Sequence, residues 1–298
     1  MRKAAVLIIL SFAVLIFVGA VILQSVLILQ RVAAVRDVEG QVVVRARGQD
    51  NFEPIAGKDR VFAGDIVRTS ADGQLTLEWL DGTRLVVGPD TLLTVLKCQI
   101  NKSNDTETSV FKLDAGSIWI RILKVLSQKS KFEITTPTAT AGVRGTIFAV
   151  HVALDGETKV SVLEGQVAVT GGDQSQQVNP NTVATVAGET TAIQDFDEQE
   201  QLTWLEHQNV AEPILRIEAP ADGYQAKAGE MVTIAGQSEK GAKVTVDGKP
   251  VELKIKQKFA TDIAVPEKMG GREMTVTVEA VDVRGYKVTR ELKIQVAK

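Results

Sequence analysis

Residues 4–23 are apolar at every position except Ser11 and Gly19. A helix rises about 1.5 Å per residue, so a run of this length can cross a hydrocarbon core of roughly 30 Å. Arg2 and Lys3 precede it, and apolarity resumes from Val26 to Leu29. The expectation is a transmembrane signal anchor over residues 4–29, with residues 1–3 as a cytoplasmic stub. The competing reading is a cleaved signal peptide. Such a peptide has an apolar region of about 7–15 residues ending at a small-x-small site. Here the run is longer and leads into Gln24-Ser25-Val26-Leu27-Ile28-Leu29-Gln30. Arg31 and Arg36 follow closely and weaken the charge asymmetry that orients an anchor. No second apolar span follows. The expected location is the cytoplasmic (inner) membrane, single-pass, with the bulk of the chain extracytoplasmic, in the periplasm.

Charge is unevenly placed. Residues 193–212 carry 6 acidic side chains and no basic one, while basic and acidic residues nearly balance elsewhere. No basic block is dense enough to track a phosphate backbone, which argues against nucleic acid as a partner. Cys98 is the single cysteine. A disulfide-stapled fold and a Cys-rich zinc site are both excluded. In Val95-Leu96-Lys97-Cys98 it reads as a small core hydrophobe, the alternative being an exposed thiol.

From Val42 onward the pattern becomes short alternating runs, such as Leu75-Thr76-Leu77-Glu78-Trp79 and Leu92-Leu93-Thr94-Val95. They are punctuated by Asp72-Gly73, Asp81-Gly82 and Gly88-Pro89-Asp90. Asp-Gly between alternating runs signals a hairpin, because Gly accepts the positive φ of a tight turn. Turn signals every 8–12 residues with no helical run between them predict an all-β domain, placed at residues 37–190. Residues 193–212 read as an acidic linker helix. Asp195 and Glu198 form its capping box, and Pro213 is its stop. A solvated connector is the plainer account of this segment, a docking helix the alternative. Residues 213–298 return to short strands. Seven of them, with an Asp247-Gly248 turn, fit an Ig-like β-sandwich without a disulfide.

The first β region closely resembles the FecR-domain family. The matching phrases are Ala63-Gly64-Asp65-Ile66-Val67-Arg68-Thr69, Leu80-Asp81-Gly82-Thr83-Arg84-Leu85, Leu113-Asp114-Ala115-Gly116-Ser117-Ile118-Trp119 and Phe132-Glu133-Ile134-Thr135-Thr136-Pro137. The most characteristic is Thr138-Ala139-Thr140-Ala141-Gly142-Val143-Arg144-Gly145-Thr146-Ile147-Phe148, followed by Glu164-Gly165-Gln166-Val167. The resemblance implies an extracytoplasmic, non-catalytic, all-β module with a rolled or solenoid-like sheet. Its best-known members are membrane regulators that pass a signal to a cytoplasmic sigma factor through an amino-terminal cytoplasmic segment. Only Met1-Arg2-Lys3 precede the expected anchor, so this chain looks more like family members that pair the domain with carbohydrate- or peptidoglycan-associated modules.

The motif positions carried by the resemblance are Gly64, Asp65, Thr69, Asp81, Gly82, Gly116, Pro137, Gly142, Arg144, Gly145, Thr146 and Gly165, read as structural. Gly142 and Gly145 flank Val143-Arg144 and are expected to permit a bulge or sharp bend. Arg144 is expected to pack its stem and fork its guanidinium onto carbonyls or a carboxylate, the alternative being contact with a ligand anion.

The catalytic inventory is poor. His151 and His207 are the only histidines, and neither has a companion at metal-ligand spacing. There is no nucleophile elbow and no phosphate-binding loop. The pairs Asp81/Asp90 and Asp155/Glu157 fall in turns, where Asp caps the backbone. Carboxylates can still pair across a fold as in a glycosidase. No catalytic residue, cofactor or metal is expected.

The fold expected is mainly β: a transmembrane helix, a FecR-type β domain, a linker helix and an Ig-like sandwich. The function expected is a membrane-anchored, non-enzymatic binding or scaffold protein of the bacterial cell envelope. Its partners would be another envelope protein or peptidoglycan. The alternative is a transmembrane signal-transducing regulator of the FecR type without its own sigma-factor-binding segment. The oligomeric state is left open.

Overall fold

The computed structural model describes residue 14 and residues 28–57, 59–79, 81–104, 106–122, 129–143, 145–188, 190–239, 241–254 and 257–297. The chain divides into two compact units, Met1–Trp79 with Arg84–Asp197, and Leu80–Thr83 with Glu198–Lys298.

The strands of the first unit, in chain order, are β1 (Ile28–Gln30), β2 (Ala33–Glu39), β3 (Val42–Arg45), β4 (Glu53–Pro54), β5 (Arg60–Val61) and β6 (Ile66–Thr69). They continue with β7 (Gln74–Glu78), β8 (Arg84–Val87), β9 (Leu92–Asn101), β10 (Thr106–Arg121), β11 (Lys131–Thr135) and β12 (Ala139–Val143). The last are β13 (Ile147–Val152), β14 (Thr158–Glu164), β15 (Val167–Gly171), β16 (Gln174–Val178), β17 (Thr182–Ala187) and β18 (Thr190–Asp195).

The ladders sort these strands into two sheets that share β10. The first sheet runs β4-β3-β6-β9-β10-β11-β12-β15-β16, with β1 on the far end of β9. The second runs β5-β2-β7-β8-β10-β13-β14-β17-β18. The hairpin β11–β12 lies in the first sheet, β13–β14 in the second, β15–β16 in the first again and β17–β18 in the second. Strand alternation then fills the space between the sheets. Val67, Leu93, Phe111 and Ile134 of the first sheet join Leu75, Leu85, Ile118 and Val160 of the second in one continuous apolar core.

The expected transmembrane helix is corrected. Among the described residues no helix is long and apolar enough to cross a membrane. The end of the expected anchor, Ile28 and Leu29, is strand β1, paired antiparallel with Ile100 and Asn101 of β9. Its backbone is satisfied by a neighbouring strand instead of by its own helix. An apolar run of four residues, Val26 to Leu29, serves either state, and here the open edge of β9 decides. Of the other anchor residues Val14 is helical; residues 4–13 and 15–27 lie outside the described residues.

One charged cluster is built into this unit. Glu78 on β7 is 6% exposed and accepts from Arg36 Nε at 3.1 Å and from Arg84 Nη2 at 3.0 Å. Burial pulls the Arg36 guanidinium below its usual pKa, opposed by the nearby Asp37 charge. Removing the shared carboxylate takes its ion-pair partner from each of two guanidinium groups packed against the sheet. Glu78→Ala is therefore expected to cost about 3 kcal/mol in urea unfolding, near the lower end for a broken buried pair.

After the first unit come helix α1 (Glu198–Glu206) and a short 3-10 turn, Gln208–Val210. Trp204 is the buried side chain of α1. Then follow β19 (Leu215–Ala219), β20 (Tyr224–Ala226), β21 (Met231–Ser238), β22 (Lys243–Val246), β23 (Lys249–Val251), β24 (Lys258–Ala264), β25 (Glu273–Val281) and β26 (Lys287–Val296). They form a three-stranded sheet, β19-β21-β24, and a five-stranded sheet, β20-β26-β25-β22-β23. Val232, Ile234 and Phe259 from the first meet Val276, Leu292 and Ile294 from the second in a separate core. Asp247 and Gly248 both have positive φ, 47° and 74°, as the two-residue turn between β22 and β23 requires. Since this core is closed on itself, residues 198–298 expressed alone are expected to melt in one cooperative transition by calorimetry. A broad, non-cooperative trace would show that the unit depends on the rest of the chain.

Candidate functional site

The motif residues gather at turns and sheet junctions. Gly64 has φ +100°, and its N–H donates to Val95 O at 2.6 Å. Next to it the buried Asp65 carboxylate accepts the Arg47 and Phe62 backbone N–H groups at 2.9 and 2.8 Å. Thr69 Oγ1 donates to Gly88 O at 2.7 Å and accepts from Thr91 N at 2.9 Å. Thr91 Oγ1 in turn donates to Pro89 O and accepts from Ser117 N, both at 2.9 Å. Thr69 and Gly116 are thus joined through Thr91 at the point where β10 passes from one sheet to the other.

Asp81 caps its own turn by accepting from Thr83 N at 3.1 Å, and Gly82 follows with φ +90°. Gly145 (φ +61°) and Gly165 (φ +83°) come together over Thr146, where a Cβ on Gly165 would meet Gly145 O at 2.9 Å. Thr146 is fully buried, and its Oγ1 has no hydrogen-bond partner among the described residues. Pro137 lies between β11 and β12, exposed, beside a hydroxyl cluster. In that cluster Thr158 Oγ1 sits 2.8 Å from both Thr136 Oγ1 and Thr138 Oγ1. Gly142 departs from the expected bend: it is a regular strand residue of β12, paired with Glu133 and Ala168. Arg144 lies outside the described residues.

The described members of this set, Gly142 aside, lie at turns and sheet junctions. Among the described residues no group of three or more His, Cys, Asp or Glu side chains could hold a metal ion. His151 is exposed on β13, and its Nδ1 lies 2.7 Å from Ser117 Oγ on the adjacent strand. Sequence reading missed this pair because its members are 34 residues apart and meet only through the β10–β13 ladder. It stands on an open sheet face, with Lys159 across from the histidine. His207 Nδ1 lies 2.9 Å from Thr203 O of α1. Cys98 is buried.

A binding surface is better developed. On the outer side of the first sheet, Glu133, Gly142, Ala168 and Gln177 stand in one cross-strand row over β11, β12, β15 and β16. Gly142 and Ala168 make a low floor between two long polar side chains. The result is an open groove of about 620 Å³, with Lys131 and Gln166 also on its rim. The next row out is Thr135, Thr140, Thr170 and Ser175, all hydroxyl-bearing.

The groove ends at β16, whose ladder is with β15. No second ladder among the described residues runs along its other side. Gln174, Ser175 and Gln177 are exposed, and the strand has neither charge, proline nor bulge. At the opposite ends of the two sheets the edge strands β4 and β5 are two residues long, one ending in Pro54 and the other beginning with Arg60. Short, charged or proline-bearing edges resist pairing, and regular neutral ones invite it. No sequence signal marked β16 as an edge, because strand order is a property of the whole sheet.

Residues 65–168 match the family model described as FecR protein. No curated protein matches the chain. Among solved structures, two crystal structures of a "putative anti-sigma factor" from Parabacteroides distasonis ATCC 8503 are similar at 18% and 19% identity, each with a TM-score of 0.38. They cover 47% of this chain, and it spans 63% and 64% of theirs. A polysaccharide lyase is similar at 9% identity and a TM-score of 0.22, over 87% of this chain and 40% of that one.

Proposed function

We infer that this chain, which carries a FecR domain over residues 65–168, is a non-enzymatic binding protein that receives an extended segment of a partner along β16. The observation that carries the reading is a regular, uncharged strand edge beside a groove floored by Gly142 and Ala168. An added strand would take its main-chain hydrogen bonds from β16. Its alternate side chains would lie beside Gln177 and Ser175 of β16, at the outer end of the groove. Strand addition of this kind needs a protein partner with a free extended segment, which in the extracytoplasmic setting is another protein of the cell envelope.

The test is photo-cross-linking in intact cells from a cross-linker at Gln177 and, separately, from one at Gln166. The Gln166 experiment is repeated in a variant that also carries Ser175→Lys and Gln177→Lys. Two lysines on an exposed edge guard it against pairing while leaving the fold's melting temperature within about two degrees. Capture from Gln166 should then disappear. An unchanged set of captured proteins would overturn the reading. The FecR match supports a second, regulatory reading, in which occupancy of the domain is passed on to a transcriptional regulator. Recovery of a sigma factor or another cytoplasmic regulator in the same experiment would favour it over a purely structural role.

A further inference from the structure

The opposite end of the first sheet carries a different surface. The Arg45 Cζ lies 5.4 Å, and the Arg68 Cζ 4.3 Å, from the centroid of the Phe52 ring. The ladder explains the meeting. Arg45 of β3 pairs with Ile66 of β6, and Arg68 stands two residues further along β6, so the arginines are diagonal neighbours on the outer face. Phe52 directly precedes β4, the next strand out.

Stacking on a ring satisfies the face of a guanidinium and leaves its N–H edge unused. Neither arginine side chain has a hydrogen bond or ion pair among the described residues. Asp50 and Glu53 flank Phe52 in the chain, yet neither reaches ion-pair distance of either arginine. In the same unit Glu78 takes Arg36 and Arg84, and Glu107 takes Arg31; no such carboxylate meets Arg45 or Arg68 among the described residues. Two like charges on one ring, with about ten donor N–H bonds between them and a half-buried floor of Val43, Ile66 and Leu92, lack only an anion.

We propose that Arg45, Phe52 and Arg68 form a binding site for an oxyanion, a carboxylate or phosphate group, held by the edges of the two guanidiniums. Both guanidinium carbons already sit against one ring, at 5.4 and 4.3 Å from its centroid, so less side-chain freedom is lost on binding than for two mobile arginines. Bidentate recognition suits both planar carboxylates and phosphates.

The site is tested on the full-length chain by following arginine Nε–Hε NMR signals during titration with inorganic phosphate, with oligogalacturonate and with neutral maltoheptaose. Phosphate, oligogalacturonate or both should shift the signals that Arg45→Gln and Arg68→Gln remove, and maltoheptaose should shift neither. A response to phosphate alone assigns a phosphate group, and one to oligogalacturonate alone assigns carboxylates carried on a glycan. Each single variant should weaken the responding ligand about tenfold, and the double variant should abolish the response. Arg60→Gln, which removes an exposed charge from the neighbouring β5, should leave affinity within about twofold. The ligand should also raise the melting temperature of the wild type but not of the double variant. Absence of any shift with both anions, or an equal loss in Arg60→Gln, would overturn the proposal.

Discussion

Gly116→Val should leave the first unit unfolded or nearly so, with a loss of more than about 4 kcal/mol, an amount comparable to the whole stability of many domains. The reason is the path of β10. Ala115 pairs with Leu92 in the first sheet, and Gly116 already pairs with Val152 in the second. The strand turns between them at φ +87°, a region side chains rarely tolerate. A Cβ there would overlap Thr91 Oγ1, lie 2.5 Å from the Thr91 Cα and 2.7 Å from the Asp90 carbonyl oxygen. Neither backbone atom can retreat, because Thr91 is pinned on both sides by Thr69 and Ser117. Circular dichroism of soluble material reads the outcome, and Gly116→Ala should fall between valine and wild type. A valine variant with an unchanged melting curve would mean that the two sheets are not joined through this residue.

Phe111→Ala is the second large effect, with an expected loss of about 4 kcal/mol in urea unfolding. Phe111 is fully buried at the centre of an aromatic chain. Its ring stands edge-on to Trp79 at 6.0 Å and tilted against Phe132 at 5.4 Å, and Phe132 continues edge-on to Phe148 at 6.5 Å. These rings come from both sheets, so truncating the middle one opens a cavity that neither sheet can close alone. Phe111→Leu keeps most of the volume and should cost less than half as much. Leu154→Ala, at a fully exposed turn, should cost nothing measurable. Equal losses for alanine at 111 and at 154 would show that the core does not pass through Phe111.

Local chemistry was legible where one short segment decides its own conformation. The Asp247-Gly248 turn was readable because positive φ at two adjacent positions depends on those residues alone. Elements whose identity depends on a distant partner were not. Tyr224–Ala226 is three residues long and carries no alternation; it is a strand because β26 lies parallel beside it. The first half of the 16-residue β10 owes its extended form to β9 and β11 on its two sides. Gly142, expected to make a bend, instead lowers the floor of a groove. The Arg45–Phe52–Arg68 and Glu78 clusters are cross-strand encounters that no spacing rule announces.

Alternation and turn residues are carried by neighbours in the chain, and from them the β character of this protein follows; the resemblance to the FecR family rests on its motif phrases, over a stretch that includes the matched residues 65–168. Which strands lie at an edge, where β10 changes sheets and which charges are left without counter-ions depend on contacts between residues tens of positions apart. Only the assembled sheets settle those, because hydrogen bonding between strands is indifferent to separation along the sequence.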